Sequence, residues 1–408
     1  MFFLIPVLFI IIPISLLAKA YDTTISSGSG PWRLTISHFG LVDSGRVDPY
    51  TTPAFSNTSD VKADRKLMVS LFLPVSPDDA GCTKFCKVPY MPPATAAAAN
   101  KQFLGDENAN VFDKVEYNTC CATNSVLHPE NMNIIILEPA VGTSRLLYGG
   151  IAQEIASHGY NVFLLDHPGD ASIVEFEPTP GTSAASETIY QSIKLDPFTA
   201  LKAWDTTSSN ALKTRQDDIE FLLKTLTNNT SLPAAILPGF KVATAFDPSR
   251  GVGIAGHGKI GGAVATILGL ENPELFRYAV NMAGSPPHVA FNDTAAHLVF
   301  FGVKPGFQRQ DDFAWPDTWK HMQGRITEWD LQNADIFDYT DVPKIVDMAG
   351  VAQGKVKGLG KVDRIRAFGA TAQFVRAYMS MVDRPLDSGM DLTGLVRFFV
   401  PDILPYGA

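Results

Sequence analysis

Residues 252–268 constrain this chain more than any other stretch. Val252-Gly253-Ile254-Ala255 is a short apolar run. Gly256-His257-Gly258-Lys259-Ile260-Gly261-Gly262 is a glycine-rich turn, and Ala263 to Leu268 can be helical. Strand, tight turn and helix form the arrangement in which a G-x-S-x-G sequence lifts a nucleophilic serine above the end of a sheet. Here the first glycine and its following His are present, and Gly258 stands at the serine's place. Ile260 takes the second glycine's place, where a branched side chain predicts a distorted turn. Counted from the C-terminal glycines, the register instead puts Lys259 at the nucleophile position, as a desolvated amine or as a lysine directed at solvent. Both registers are open.

The rest of the chain alternates strand-like and helix-like segments. Trp32 to Val42 and Lys66 to Val75 alternate or run apolar, and pair antiparallel at one sheet edge. Met132 to Glu138 is nearly all apolar, as in a buried parallel strand. Leu146 to His158 has helical spacing, Gly159 ends it, and Tyr160 to Asp166 is the next strand, so this unit is a right-handed parallel crossover. Arg215 to Leu226 is an amphipathic helix. Strands are expected at Tyr278–Met282 and Ala296–Gly302, and helices after Pro343, including Val362 to Met381. Alternation without a composition break predicts one α/β domain over residues 21–408, a mostly parallel doubly wound sheet with helices on both faces. Two Pro-, Ser- or Cys-rich excursions interrupt it, at 76–130 and 167–210; the first is read as irregular and tied by disulfides, the second as lying over the site.

A formal charge of −9 in 408 residues leaves no basic excess, which excludes nucleic acid as a partner. Phe2 to Leu17 is apolar, contains Pro6 and Pro13, and is followed by Ala18-Lys19-Ala20. This predicts a cleaved secretory signal over 1–20, with no stable membrane span after cleavage and a secreted or lumenal destination. In that compartment the four cysteines predict two disulfides. Adjacent Cys120 and Cys121 would strain a bond between themselves, so the pairing joins them to Cys82 and Cys86, in an order the sequence leaves open. Sequons place glycosylation candidates at Asn57, Asn228, Asn229 and Asn292.

Several dispersed motifs share one likeness. Gly142-Thr143-Ser144-Arg145-Leu146-Leu147-Tyr148, Ala156-Ser157-His158-Gly159-Tyr160, Asp166-His167-Pro168, Arg215-Gln216-Asp217-Asp218-Ile219 and the turn at 256–262 together resemble the platelet-activating-factor acetylhydrolase-like α/β-hydrolases, most closely their secreted fungal branch. The stretches Tyr90 to Ala96 and Val174-Glu175-Phe176 extend the resemblance over most of the chain. It implies an α/β-hydrolase fold and a Ser–Asp–His triad. Carried over by position, the Ser falls at Gly258. The Asp of an N-x-D-G motif falls at Ala283 in Asn281-Met282-Ala283-Gly284, and the His falls at Ile336 ahead of Phe337-Asp338-Tyr339-Thr340-Asp341-Val342-Pro343. None of the three can do its part, since the mechanism needs a hydroxyl, an imidazole and a carboxylate.

Other residues near the expected site are candidates for a different chemistry. Glu138 ends a strand beside the loop that supplies the oxyanion-hole amide, carried over to Val141; a carboxylate in a partly buried cleft can act as acid or base. Lys259 and His288 complete the candidate set; the alternative readings are a salt-bridged or solvent-facing Glu138 and a surface imidazole at His288. Ser285 and Asp335 are read as loop residues, and His257 as structural. No metal cluster, phosphate loop or cofactor fingerprint is present in the sequence. Two functions remain open, beside a remote third, residual carboxylic ester hydrolysis through Lys259. One is a repurposed catalyst for cyclisation or rearrangement of a hydrophobic small molecule, as in fungal secondary metabolism. The other is a non-catalytic protein that binds a lipid-like ligand or a protein partner.

Overall fold

The structure is a computed structural model, and it describes residues 23–25, 28–50, 63–78, 81–176, 186–289, 292–382, 394 and 399–407. The expected signal at 1–20 and Asn57 lie outside these residues, as do parts of both excursions. Among the described residues, no helix is long and apolar enough to cross a membrane.

Strands β1 (Arg33–Val47) and β2 (Asp64–Ser76) pair antiparallel at one edge of the main sheet. The cysteine-rich excursion, read as irregular, is ordered instead. Its strand β3 (Cys82–Pro89) and helix α1 (Pro93–Leu104) are followed by β4 (Glu116–Thr123), antiparallel to β3. The alanine run makes α1, with Pro93 in its first turn and Gly105 ending it at φ 77°. The disulfides join Cys82 to Cys120 and Cys86 to Cys121. The strand pair was hidden because β3 exposes most of its residues and shows no apolar run.

The core strands follow the expected scheme. They are β5 (Ile134–Glu138), helix α2 (Gly149–Ala156), β6 (Asn161–Asp166), helix α3 (Thr206–Asn228), β7 (Val252–His257), helix α4 (Gly258–Glu271), β8 (Phe276–Met282) and β9 (Asn292–Lys304). Strand β10 (Met322–Gln332) follows, then helices α5 (Val342–Met348) and α6 (Arg364–Val382), and finally β11 (Ile403–Pro405). The nine-stranded sheet runs β11-β10-β9-β8-β7-β5-β6-β2-β1, parallel from β6 to β10 and antiparallel at both edges. This is the α/β-hydrolase architecture.

Three differences from the sequence reading have local causes. Arg145–Tyr148 is a 3-10 turn, and only Gly149–Ala156 is α-helical, because two glycines follow it. Helix α3 starts nine residues earlier than expected. Asp205 accepts from the Ser208 amide at 2.8 Å while the Ser208 hydroxyl accepts from the Asp205 amide at 2.9 Å, a capping box in front of polar first turns. Strand β10 was missed because its first half is exposed and polar.

The parallel strands are buried on both faces. In β5, Ile135 and Leu137 enter the core on the side of α2 and α6, and Ile134 and Ile136 enter the core on the side of α3 and α4. Each such side chain contributes about 1.5–3 kcal/mol of burial free energy. This double burial holds the carboxyl ends of β5, β6, β7 and β8 in fixed register, where the candidate residues sit.

Candidate functional site

The turn after β7 is built from close contacts that only glycine permits. A Cβ on Gly256 would stand 1.8 Å from the Gly261 carbonyl oxygen, and one on Gly261 would stand 2.7 Å from that of Pro139. Gly258 lies between strand and helix at φ 68°, the left-handed conformation of a strained turn. Lys259 is inside the first turn of α4. The structure therefore gives the turn position to Gly258 and not to Lys259. A side chain at 258 would project toward the methyl of Ala140, its Cβ 3.0 Å away. Ile260 faces away, fully buried in the core beside α3 and α4.

Ala283 follows β8 at φ 53°. The Asn281 side chain holds its loop, accepting from the Gly284 amide at 2.7 Å and donating to Thr266 Oγ1 at 2.9 Å. A left-handed Ala is unusual, while Asp or Asn takes this conformation more readily. The backbone here keeps a shape that its side chain does not favour.

His257 links the turn to Ile336. The Ala140 amide donates to the Tyr148 hydroxyl at 2.9 Å, so that hydroxyl donates to His257 Nδ1 at 2.6 Å, and His257 Nε2 donates to the Ile336 carbonyl at 2.7 Å. Burial lowers the His257 pKa to about 3, against a smaller opposing effect of the Ile336 bond, so the ring is neutral. Both nitrogens are committed, and His257 is structural in this arrangement.

One small cavity lies here. Lys259, Ala283, Ile336, Ser285, Phe307 and Trp315 are on its wall, with Pro197 and Thr199 covering it from the second excursion. Its free space for the centre of a water-sized sphere is about 10 Å³, enough for about one water molecule. Ser285 donates to the Asp312 carboxylate, which also accepts from the Ala314 and Trp315 amides at 2.8 Å each. No imidazole contacts Ser285 among the described residues, so its hydroxyl has no base able to activate it. Lys259 is only 7% exposed. Burial lowers its pKa, opposed by the Asp196 carboxylate. Among the described residues its ammonium has no hydrogen-bond or ion-pair partner, and the backbone amides of Lys259 and Val141 donate to none either.

The other two catalytic candidates do not join Lys259. Glu138 is not a cleft carboxylate, because its side chain is fully buried in an ion network behind the loop. His167 places Nε2 2.9 Å from Glu138 Oε2 and Nδ1 2.8 Å from Asp218 Oδ2. Arg215 donates to Glu138 at 3.2 Å, to the Pro139 carbonyl at 2.7 Å, and to Asp170 at 2.6 and 2.8 Å. Arg65 donates to Asp218 at 2.6 Å. A His ring between two carboxylates must donate from both nitrogens, so His167 is an imidazolium. Burial alone would lower its pKa, but Glu138 and Asp218 override burial and raise it to about 9. Four buried carboxylates (Asp48, Glu138, Asp170, Asp218) then face three buried cations (Arg65, His167, Arg215), and the half-buried Arg46 also pairs with Asp218. Arg215 so anchors the carbonyl of Pro139, at the start of the loop that contains Val141.

His288 is on the surface instead of beside Ala283. Its side chain is 70% exposed, 4.0 Å from Asp317 and stacked edge-on against His321, because the Pro286-Pro287 turn carries it outward. Asp335 caps the following turn by accepting from the Ile336 amide at 2.7 Å. The sequence reading missed the ion network, whose signal was present as charged residues at the ends of otherwise apolar strands, Glu138 and Asp166-His167. Among the described residues no group of His, Cys, Asp and Glu is arranged to hold a metal ion. Asn228 and Asn229 are exposed at the end of α3.

Residues 56–311 match the model of the family described as "Platelet-activating factor acetylhydrolase, isoform II". The chain belongs to that family. Gly258 and Ala283 lie within the matched residues, and Ile336 lies beyond them. A protein of Arthroderma benhamiae named "Probable 1-alkyl-2-acetylglycerophosphocholine esterase" is 30% identical over 178 residues, which are 40% of this chain and 43% of that protein. The chain thus matches less than half the length of that relative. Among solved structures, a ferulic acid esterase from Streptomyces cinnamoneus is similar in fold, with a TM-score of 0.67 and 24% identity over 94% of this chain and 99% of the other.

Proposed function

We propose that this member of the family has given up serine ester hydrolysis and acts as a non-hydrolytic binding protein at the former reaction centre. The observation that carries this reading is one convergence. The turn position is Gly258, its neighbour Lys259 shares a cavity wall with Ala283 and Ile336, and among the described residues no activated hydroxyl stands there. Those three positions are where the family resemblance puts the Ser, Asp and His. Losing one member of such a triad costs several orders of magnitude in rate, and losing the others adds little, so a site no longer used for hydrolysis is free to lose all three. The cavity's size favours a small ligand over an acyl chain.

The repurposed-catalyst reading rests on one observation, the buried Lys259 amine. It loses Glu138 to the ion network and His288 to the surface, which favours binding over catalysis. The two disulfides fit an oxidising compartment, and we infer a secreted or lumenal protein with glycans at its exposed sequons.

The test is direct. Purified protein is assayed with p-nitrophenyl acetate and with a fluorophosphonate serine probe. No turnover above the buffer rate and no labelling are expected. Saturable ester turnover or stoichiometric labelling would overturn the reading.

A further inference from the structure

Lys259 is a buried amine that opens onto a cavity. The residue is 7% exposed, and it lines a partly open space together with Ala283, Phe307, Trp315 and Ile336. Among the described residues its nitrogen has no hydrogen-bond or ion-pair partner. Burial lowers its pKa, although the Asp196 carboxylate opposes the shift. Desolvation of this kind makes a lysine nucleophilic, because it raises the share of free amine near neutral pH.

Charge and space limit what that amine can meet. Asp311 and Asp312 lie on the same cavity wall. Asp312 accepts from Ser285 and from the Ala314 and Trp315 amides, and Asp311 accepts from the Gln308 amide at 3.3 Å. Two carboxylates beside one amine repel an anion. They do not oppose a neutral ligand, and they favour an adduct whose nitrogen keeps its positive charge. Free space of about 10 Å³ for the centre of a water-sized sphere holds little more than a carbonyl group, so any substituent is short and directed at the open side.

Building on the non-hydrolytic reading of the site, we propose that the cavity beside Gly258 captures a short neutral aldehyde as a reversible imine on Lys259. The lone pair of the free amine forms the N–C bond, the carbonyl π pair moves to oxygen, and that oxygen takes the proton the nitrogen gives up. The carbinolamine is protonated on its oxygen and expels it as water. In sum, one ammonium and one aldehyde give one iminium and one water. The charge stays at one positive, and no oxidant or reductant is consumed. No step asks for a reactive side chain at Gly258, Ala283 or Ile336.

The whole mature protein is incubated at pH 7 with acetaldehyde and sodium cyanoborohydride, which reduces an iminium to a stable N-ethyl amine. Peptide mapping follows the label at each lysine. Lys259 should be ethylated at least about tenfold faster than Lys101 and Lys320, whose side chains are 71% and 70% exposed. Glyoxylate, a two-carbon aldehyde that carries a carboxylate, should lose this preference. A Lys259 labelled no faster than the two exposed lysines, or preferred as strongly by glyoxylate, would overturn the proposal. Lys259→Met should remove the fast phase of total labelling, and persistence of that phase would overturn it too. If that variant does not fold, the site-by-site rates on the unaltered protein decide alone. Ester turnover is measured on the same preparation. Turnover would sink the underlying non-hydrolytic reading, whereas no turnover with slow labelling of Lys259 sinks only the aldehyde site.

Discussion

Replacing Glu138 by Gln tests whether this carboxylate is a structural ion, and the structure sets the size and sign of the effect. His167 lies between Glu138 and Asp218, and its pKa is about 9 in the folded protein against 6.5 in an unfolded chain. The folded value is the higher one, so its contribution to stability is full below pH 6.5 and is lost as pH rises through about 9. That difference, at about 1.4 kcal/mol per pH unit, gives a loss of about 3 kcal/mol. Glu138→Gln removes one of the two carboxylates that hold the proton. Gln keeps a hydrogen-bond acceptor for Arg215 but takes one negative charge out of the buried network, from beside His167 and Arg215. A cost of about 3–5 kcal/mol at pH 6 is expected from breaking a buried pair, with the loss between pH 7.5 and 9.5 roughly halved because Asp218 alone now supports the imidazolium. Urea unfolding at pH 6.0, 7.5, 8.5 and 9.5 on both proteins reads this out. The buried acids whose pKa values are raised to about 7, Glu328 and Asp341, titrate mostly below this window. Equal stability at pH 6, or equal pH slopes above 7.5, would refute the assignment of Glu138 to the ion network.

Gly258→Ser should lower stability by about 1–3 kcal/mol, since it puts a side chain at φ 68° with its Cβ 3.0 Å from the Ala140 methyl; chemical denaturation gives the cost, and p-nitrophenyl acetate should still show no turnover. His257→Phe leaves the Tyr148 hydroxyl without an acceptor for its proton, and takes from the buried Ile336 carbonyl the donor it has in His257. A loss of about 2–4 kcal/mol is expected, read by the same denaturation curves. Reducing the disulfides opens the cross-link between residues separated by 38 positions in sequence. Stability should fall by about 3–4 kcal/mol, with a lower Tm in dithiothreitol than without it.

Much of the fold was legible from local pattern. Strands buried on both faces, such as 134–138 and 161–166, leave continuous apolar runs that need no tertiary information. The pair at 82–89 and 116–123 did not show, because its partners are distant in sequence and most of the first strand's residues face solvent. The cysteines narrowed the cross-link to two alternatives, and only the folded structure shows that Cys82 meets Cys120 and Cys86 meets Cys121.

For the site, the sequence by itself determined which side chains stand at 258, 283 and 336, and that none of them is a hydroxyl, a carboxylate or an imidazole. It could not determine which of the remaining polar residues meet. Glu138 and Lys259 both lie near the carboxyl ends of neighbouring strands, and composition treats them alike. Only the packed structure separates them. Glu138 meets His167 and Arg215, which come from other strands and helices, and is neutralised. Lys259 lies on a cavity wall with Ala283, Ile336 and Trp315 and has no ion-pair partner among the described residues. The physical reason is that a buried charge is governed by what faces it in space, and the partners of Glu138 are 29 and 77 residues away along the chain.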